Sequence, residues 1–99
     1  MGRLREQQST FIYMVAELII WAYDNGYSLT FGDAFAKDGH SKNSFHYKRL
    51  AVDLNLFKDG VYLTRTEDHA PLGAKWIEMG GTWGGNFKNS DGNHYSYGE

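Results

Sequence analysis

Hydrophobic residues recur at helical spacing near the start of the chain. Phe11, Met14, Val15, Leu18 and Ala22 fall on one stripe, widened by Ile12 and Ile19, which predicts a helix over about residues 8–23. Ser9 or Thr10 offers a cap, and Asn25-Gly26 a C-terminal stop. The period then changes to two. Tyr27, Leu29 and Phe31 alternate with polar residues in a strand that ends at Gly32-Asp33, and residues 37–43 (K-D-G-H-S-K-N) form a polar loop without periodicity. From Leu50 to Phe57 the alternation returns, with Val52, Leu54 and Leu56 on one face and Ala51, Asp53, Asn55 and Phe57 on the other. Lys58-Asp59-Gly60 reads as a hairpin turn into the return strand V-Y-L-T. After Thr66, acids in a first turn, Pro71 near the start and Leu72, Trp76 and Met79 on one face predict a second, shorter helix stopped by Gly80-Gly81. The tail is rich in Gly, Asn and aromatics, with a short strand expected around residues 94–97. The class is α+β: helices packed on a small, mostly antiparallel sheet.

Composition narrows the function. Ninety-nine residues make a single domain, residues 1–99, with one core. A formal charge of -2 supplies no basic footprint, so nucleic-acid binding by counterion release is disfavoured, as is attraction to an anionic membrane. With no cysteine, neither a disulfide frame nor a thiolate zinc site can form. Any metal must be held by histidine and carboxylate. The apolar run over residues 11–23 is interrupted by Glu17 and is about half of what a bilayer span requires. It reads as a core helix, and the chain is expected to be made in the cytoplasm without a signal peptide or membrane span.

Two stretches carry candidate chemistry: S-F-H-Y-K-R-L-A-V-D-L, residues 44–54, and D-G-N-H-Y, residues 91–95. They offer His46, Asp53 and His94 as two histidines and a carboxylate, with Asp91 three residues before the last histidine. Three protein ligands, one open position for water and an adjacent base are the inventory of a catalytic zinc site. Spacing alone leaves alternatives open. On one helix His46 and Asp53 would lie about 10 Å apart along the axis. On one uninterrupted strand they would face opposite ways, so shared ligation requires a turn at Y-K-R-L. Asp53 and Asn55 can equally be solvated residues of a half-buried strand, and D-G-N is also a plain turn signal.

The first stretch resembles the signature S-x-H-x-x-G-x-A-x-D of the zinc D-Ala-D-Ala carboxypeptidase and L-alanyl-D-glutamate endopeptidase family, with matches at Ser44, His46, Ala51 and Asp53. Arg49 stands at the glycine position, a departure familiar from the phage-encoded branch as K-R-L-A-x-D-L-N-L-F. W-G-G-N-F-K-N-S-D-G-N-H-Y, residues 83–95, is similar to the family's second signature, an acid shortly before a metal histidine and after a tryptophan-glycine segment. The resemblance runs over about residues 32–97. It implies a Hedgehog/D-Ala-D-Ala peptidase-like fold, Zn2+ held by His46, Asp53 and His94, and Asp91 as catalytic acid/base. It implies a monomeric endolysin-like hydrolase of bacterial peptidoglycan stem peptides, most simply of the L-alanyl-D-glutamate bond. Such an enzyme acts in host lysis, reaching the wall after release by a membrane-permeabilising partner.

One departure matters. Many relatives carry an arginine, thought to polarise the scissile carbonyl, just after the strand end that here reads G-D-A-F; Ala36 follows instead. Arg49, in the turn between two implied ligands, is the expected replacement, with Lys37 the lesser candidate. Other readings are a D-Ala-D-Ala carboxypeptidase, a non-catalytic zinc-stabilised binding module and a metal-free interaction domain. His40 and His69 sit in polar contexts and are expected to be solvated. Trp76 is expected in the core. Trp83 is divided evenly between packing and lining the cleft, and Tyr95 or Tyr97 is a candidate for the pocket wall.

Overall fold

The structure, a computed structural model, describes residues 2–32 and 48–98. Helix α1 (Arg3–Asp24) leads into strand β1 (Tyr27–Phe31), then β2 (Ala51–Lys58) and β3 (Val61–Leu63). A 3-10 turn (Thr66–His69) runs straight into α2 (Ala70–Glu78), followed by β4 (Thr82–Trp83), a second 3-10 turn (Gly84–Asn86) and β5 (His94–Ser96). Among the described residues no helix is long and apolar enough to cross a membrane.

The helical stripe is the buried face of α1: Phe11, Met14, Val15, Leu18 and Ala22 are its buried residues. Ile12 departs from expectation and is 64% exposed, because it sits at the margin of the apolar arc. The helix also starts earlier than residue 8. Arg3, Leu4, Arg5, Glu6 and Gln7 all favour helix, so Gly2 becomes the N-terminal boundary and Ser9 and Thr10 lie inside it.

The five strands form an antiparallel sheet in the order β1-β2-β5-β4, with β3 paired to β2 off that path. β2 is the organising strand. One edge pairs with β1 over residues 54–58. Its other edge changes partner, meeting β5 at residues 51–53 and β3 at residues 56–58. Asn55 falls at the changeover. Val52, Leu54 and Leu56 turn their side chains into a core shared with α1, Leu72 and Trp76 of α2, and Tyr95 of β5. Aromatic edges organise that core. Trp76 meets Phe11 at 5.9 Å and Tyr95 at 6.0 Å, both close to perpendicular, the arrangement the ring quadrupoles favour. Its indole N–H donates to the carbonyls of Ser96 (2.8 Å) and Thr82 (3.1 Å), tying α2 to the β4–β5 pair. Trp76 is thus a core residue, as its helical spacing predicts.

Candidate metal centre

Strand register brings the candidate ligands together. In the antiparallel β2–β5 pair, Asp53 stands directly opposite His94, and directly opposed residues share a face. Their neighbours Val52 and Tyr95, also opposed, belong to the core, so Asp53 and His94 project from the other side. His94 Nδ1 lies 3.8 Å from Asp53 Oδ1, and His94 is buried. Two donors on one tetrahedral zinc are about 3.4 Å apart, given metal–ligand distances near 2.1 Å. A small inward adjustment of these side chains would suffice.

Asp91 joins through a tight turn. The His94 N–H donates to the Asp91 carbonyl (3.1 Å), folding residues 91–94 back on themselves, while the Asp91 N–H donates to the Gly84 carbonyl (2.9 Å). One donor atom from each of Asp53, Asp91 and His94 lies within 4.8 Å of the other two. Asp91 is exposed whereas Asp53 is half-buried and His94 buried. Of the two carboxylates, Asp91 is therefore the more open to solvent. The residues present fit a borderline cation that takes both nitrogen and oxygen donors, such as zinc. His46, the remaining expected ligand, lies outside the described residues, as do Ser44, Lys37 and His40.

The turn is held in place from behind. Gly84 packs so closely that a Cβ there would meet the Asp91 carbonyl and His94 Cβ. Trp83 lies against Gly73 and Gly85, neither of which has room for a Cβ beside the indole, and its N–H donates to the Gly92 carbonyl at 2.8 Å. The residue thus braces the ligand-bearing turn. Phe87 sits 5.2 Å from the His94 ring and limits its rotation.

Three sequence expectations need revision or placing. His69 is not solvated: it is 3% exposed, and its Nδ1 is 2.8 Å from the Tyr95 hydroxyl. Burial lowers its pKa, overcoming the opposing pull of the Asp68 and Asp91 carboxylates, so the ring is held neutral. The signal was present, since His69, Leu72, Gly73 and Trp76 follow the i, i+3, i+4, i+7 pattern of a buried face. Tyr95 is wholly buried, and burial pushes its hydroxyl pKa up. Its ring belongs to the core, while Tyr97 is partly buried against it. Arg49 lies with Gln8, Phe11 and Val52 around a cavity on the α1 side of the sheet. It does not border the cavity that Asp91 lines. Its backbone is left-handed, with φ 59, a conformation only glycine adopts without cost.

That second cavity, of about 230 Å³, opens where the edge of β2 changes partner. Asn55, Tyr62, Arg65, Thr66, His69 and Asn93 line it, with Asp91 on its border. Apart from Asp91, the sequence reading singled out none of these as site residues.

No curated protein sequence matches the chain. The crystal structure of Serratia marcescens L-Ala D-Glu endopeptidase ChiX superposes with a TM-score of 0.69 at 16% identity, covering 98% of this chain and 87% of that one. The fold is therefore that of this peptidase class. A family profile described as D-alanyl-D-alanine carboxypeptidase matches residues 37–97, the segment that holds Asp53, Asp91 and His94, and the chain belongs to that family of peptidases.

Proposed function

We propose that the chain is a zinc-dependent, endolysin-like peptidoglycan peptidase that hydrolyses stem peptides at the L-alanyl-D-glutamate bond. The carrying observation is the convergence of Asp53, Asp91 and His94 donors within 4.8 Å, built by strand register in a chain of this family. His46, Asp53 and His94 would hold the metal, with Asp91 beside it. When bound, zinc supplies Lewis acidity and lowers the pKa of a water from about 15.7 toward 7. The protein's own residues do the rest. Asp91 accepts a proton from the attacking water on a carboxylate oxygen as the water oxygen bonds to the scissile carbon. It then delivers that proton to the nitrogen of the departing amine as the C–N bond breaks. The brace of Trp83 and Gly84 keeps the carboxylate in register with His94 during both transfers.

A D-Ala-D-Ala carboxypeptidase is the second reading, favoured by the description of the matching family. The same proton transfers serve it. A non-catalytic zinc module has no use for an exposed carboxylate within reach of the ligand pair, so the position of Asp91 favours an enzyme.

Zinc analysis and mass spectrometry of digested stem peptides test the proposal. Wild type should carry about one zinc per chain, and His46→Ala, Asp53→Ala and His94→Ala should each lose it. Asp91→Asn should keep metal and fold while turnover falls about 10²-fold or more. Stoichiometric zinc in all three ligand variants, or undiminished turnover in Asp91→Asn, would overturn the assignment. The masses of the fragments identify the bond.

A further inference from the structure

The cavity beside Asp91 has a composition of its own. Among its described lining residues Arg65 is the one permanent cation and Asp91 the one acid; beside them stand hydroxyls, amides, the buried His69, Leu63 and Gly92. The backbone of Arg65 is pinned, because its N–H donates to Asp68 Oδ2 at 3.1 Å. The guanidinium is not: its side chain is 72% exposed and touches Asp68 Oδ1 through one nitrogen at 3.5 Å. An exposed single contact of that length is a weak hold. A planar guanidinium with five donors can exchange it for a two-pronged bond to an incoming carboxylate.

We propose that this cavity is the subsite for a substrate carboxylate on the leaving-group side of the cleaved bond, with Arg65 as the specificity-determining residue that receives it. The inference rests on the peptidase reading and on Asp91 as proton donor to the departing amine. A cavity bordered by that donor must accommodate whatever the amine is attached to. The chemistry of both candidate substrates matches. A glutamate linked through one of its carboxyl groups keeps the other free beside the bond. A D-alanine leaving from a chain end carries the terminal carboxylate. Arg65 offers the same recognition to either, and Asn93 and Thr66 supply flanking donors.

The two sources separate in a substrate panel. Zinc-loaded full-length enzyme is given soluble stem peptides whose glutamate carboxyl is free or amidated, and whose terminal carboxyl is free or amidated. Binding of the glutamate-bearing product peptide and of D-alanine, each as acid and amide, is followed by calorimetry. In wild type one of the two amidations should lower kcat/KM by about 10- to 100-fold, the scale of losing a bidentate charged hydrogen bond. The sensitive carboxylate identifies the source. In Arg65→Met the acid-to-amide ratio should fall to near one, and Arg65→Lys should restore part of it. Circular dichroism and thermal unfolding check that both variants are folded, as the exposure of the side chain leads one to expect. A wild type indifferent to both amidations, or an Arg65→Met enzyme that keeps the full ratio, overturns the proposal. A wild type that cleaves no stem peptide, yet binds the acid in preference to the amide through Arg65, would sink the peptidase reading and leave the carboxylate site standing.

Discussion

The buried pair of His69 and Tyr95 offers a quantitative test of how the site is supported. Tyr95 is fully buried beside the metal-face residue His94, and its hydroxyl has His69 Nδ1 at 2.8 Å. Replacing His69 with leucine keeps the packing volume but orphans the hydroxyl. An orphaned buried polar group costs about 1–3 kcal/mol, so His69→Leu should lose about 2 kcal/mol. Tyr95→Phe should lose about 1 kcal/mol, less because His69 borders a cavity of about 230 Å³, large enough for a water to replace the lost partner. Removing both polar groups together leaves nothing unsatisfied. The double variant should therefore be more stable than the sum of the singles predicts, by about 1–2 kcal/mol. Urea unfolding of all four proteins in excess chelator reads this directly, with metal linkage removed. Additivity within about 0.5 kcal/mol would refute the pair.

The same series carries a pH signature of fixed sign. Burial lowers the pKa of His69 in the folded protein below its unfolded value of 6.5. Between those two values the unfolded chain binds the extra proton, so stability rises with pH. The contribution is fully present above about pH 6.5 and is lost as pH falls toward the folded-state pKa. Its slope is at most about 1.4 kcal/mol per pH unit for one proton. His69→Leu lacks this loss. The gap between wild type and variant should narrow on acidification, and a widening gap would show that the ring is not held neutral.

Two further substitutions address the frame of the site. Gly84→Ala places a Cβ against the Asp91 carbonyl and His94 Cβ; it should cost about 1–3 kcal/mol and weaken zinc retention in a chelator competition, and unchanged stability and affinity together would refute the packing argument. Arg49→Gly relieves a left-handed residue at φ 59, a gain of about 1–2 kcal/mol offset by glycine's own entropy of about 0.5–1 kcal/mol and by loss of what the side chain contacts. Stability should change by no more than about 1.5 kcal/mol and turnover by no more than a few-fold, whereas a loss of about 10²-fold or more in turnover would place the guanidinium at the carbonyl oxygen.

What could be read from sequence was what depends on local periodicity. The buried positions of α1 and the alternation of β2 follow from side chains meeting one uniform surface, so spacing reports them. Boundaries fared less well. Residues 3–7 carry no hydrophobic stripe, and only their intrinsic preference extends the helix to Arg3. His69 was hidden for a related reason. Glu67, Asp68 and Pro71 around it mark a solvated helix start, yet the stripe it shares with Leu72 and Trp76 turns inward one turn earlier than those flanks imply.

The site itself depends on pairing, which no local pattern encodes. Asp53 reads as a solvated alternate residue until β5 is set beside β2 with His94 opposite it; a shift of one residue would send His94 into the core and Tyr95 out. Family resemblance could name Asp53, Asp91 and His94 without that register, but not the cavity next to them. The cavity exists because the edge of β2 that pairs with β5 at residues 51–53 is taken over by β3 at residues 56–58, with Asn55 between. On the proposed reading, chemistry and selectivity are therefore separable in this fold. The register of β2 against β5 sets Asp53 opposite His94, with Asp91 beside them. The short β3, and the chain leaving it through Arg65, shape the cavity beside them.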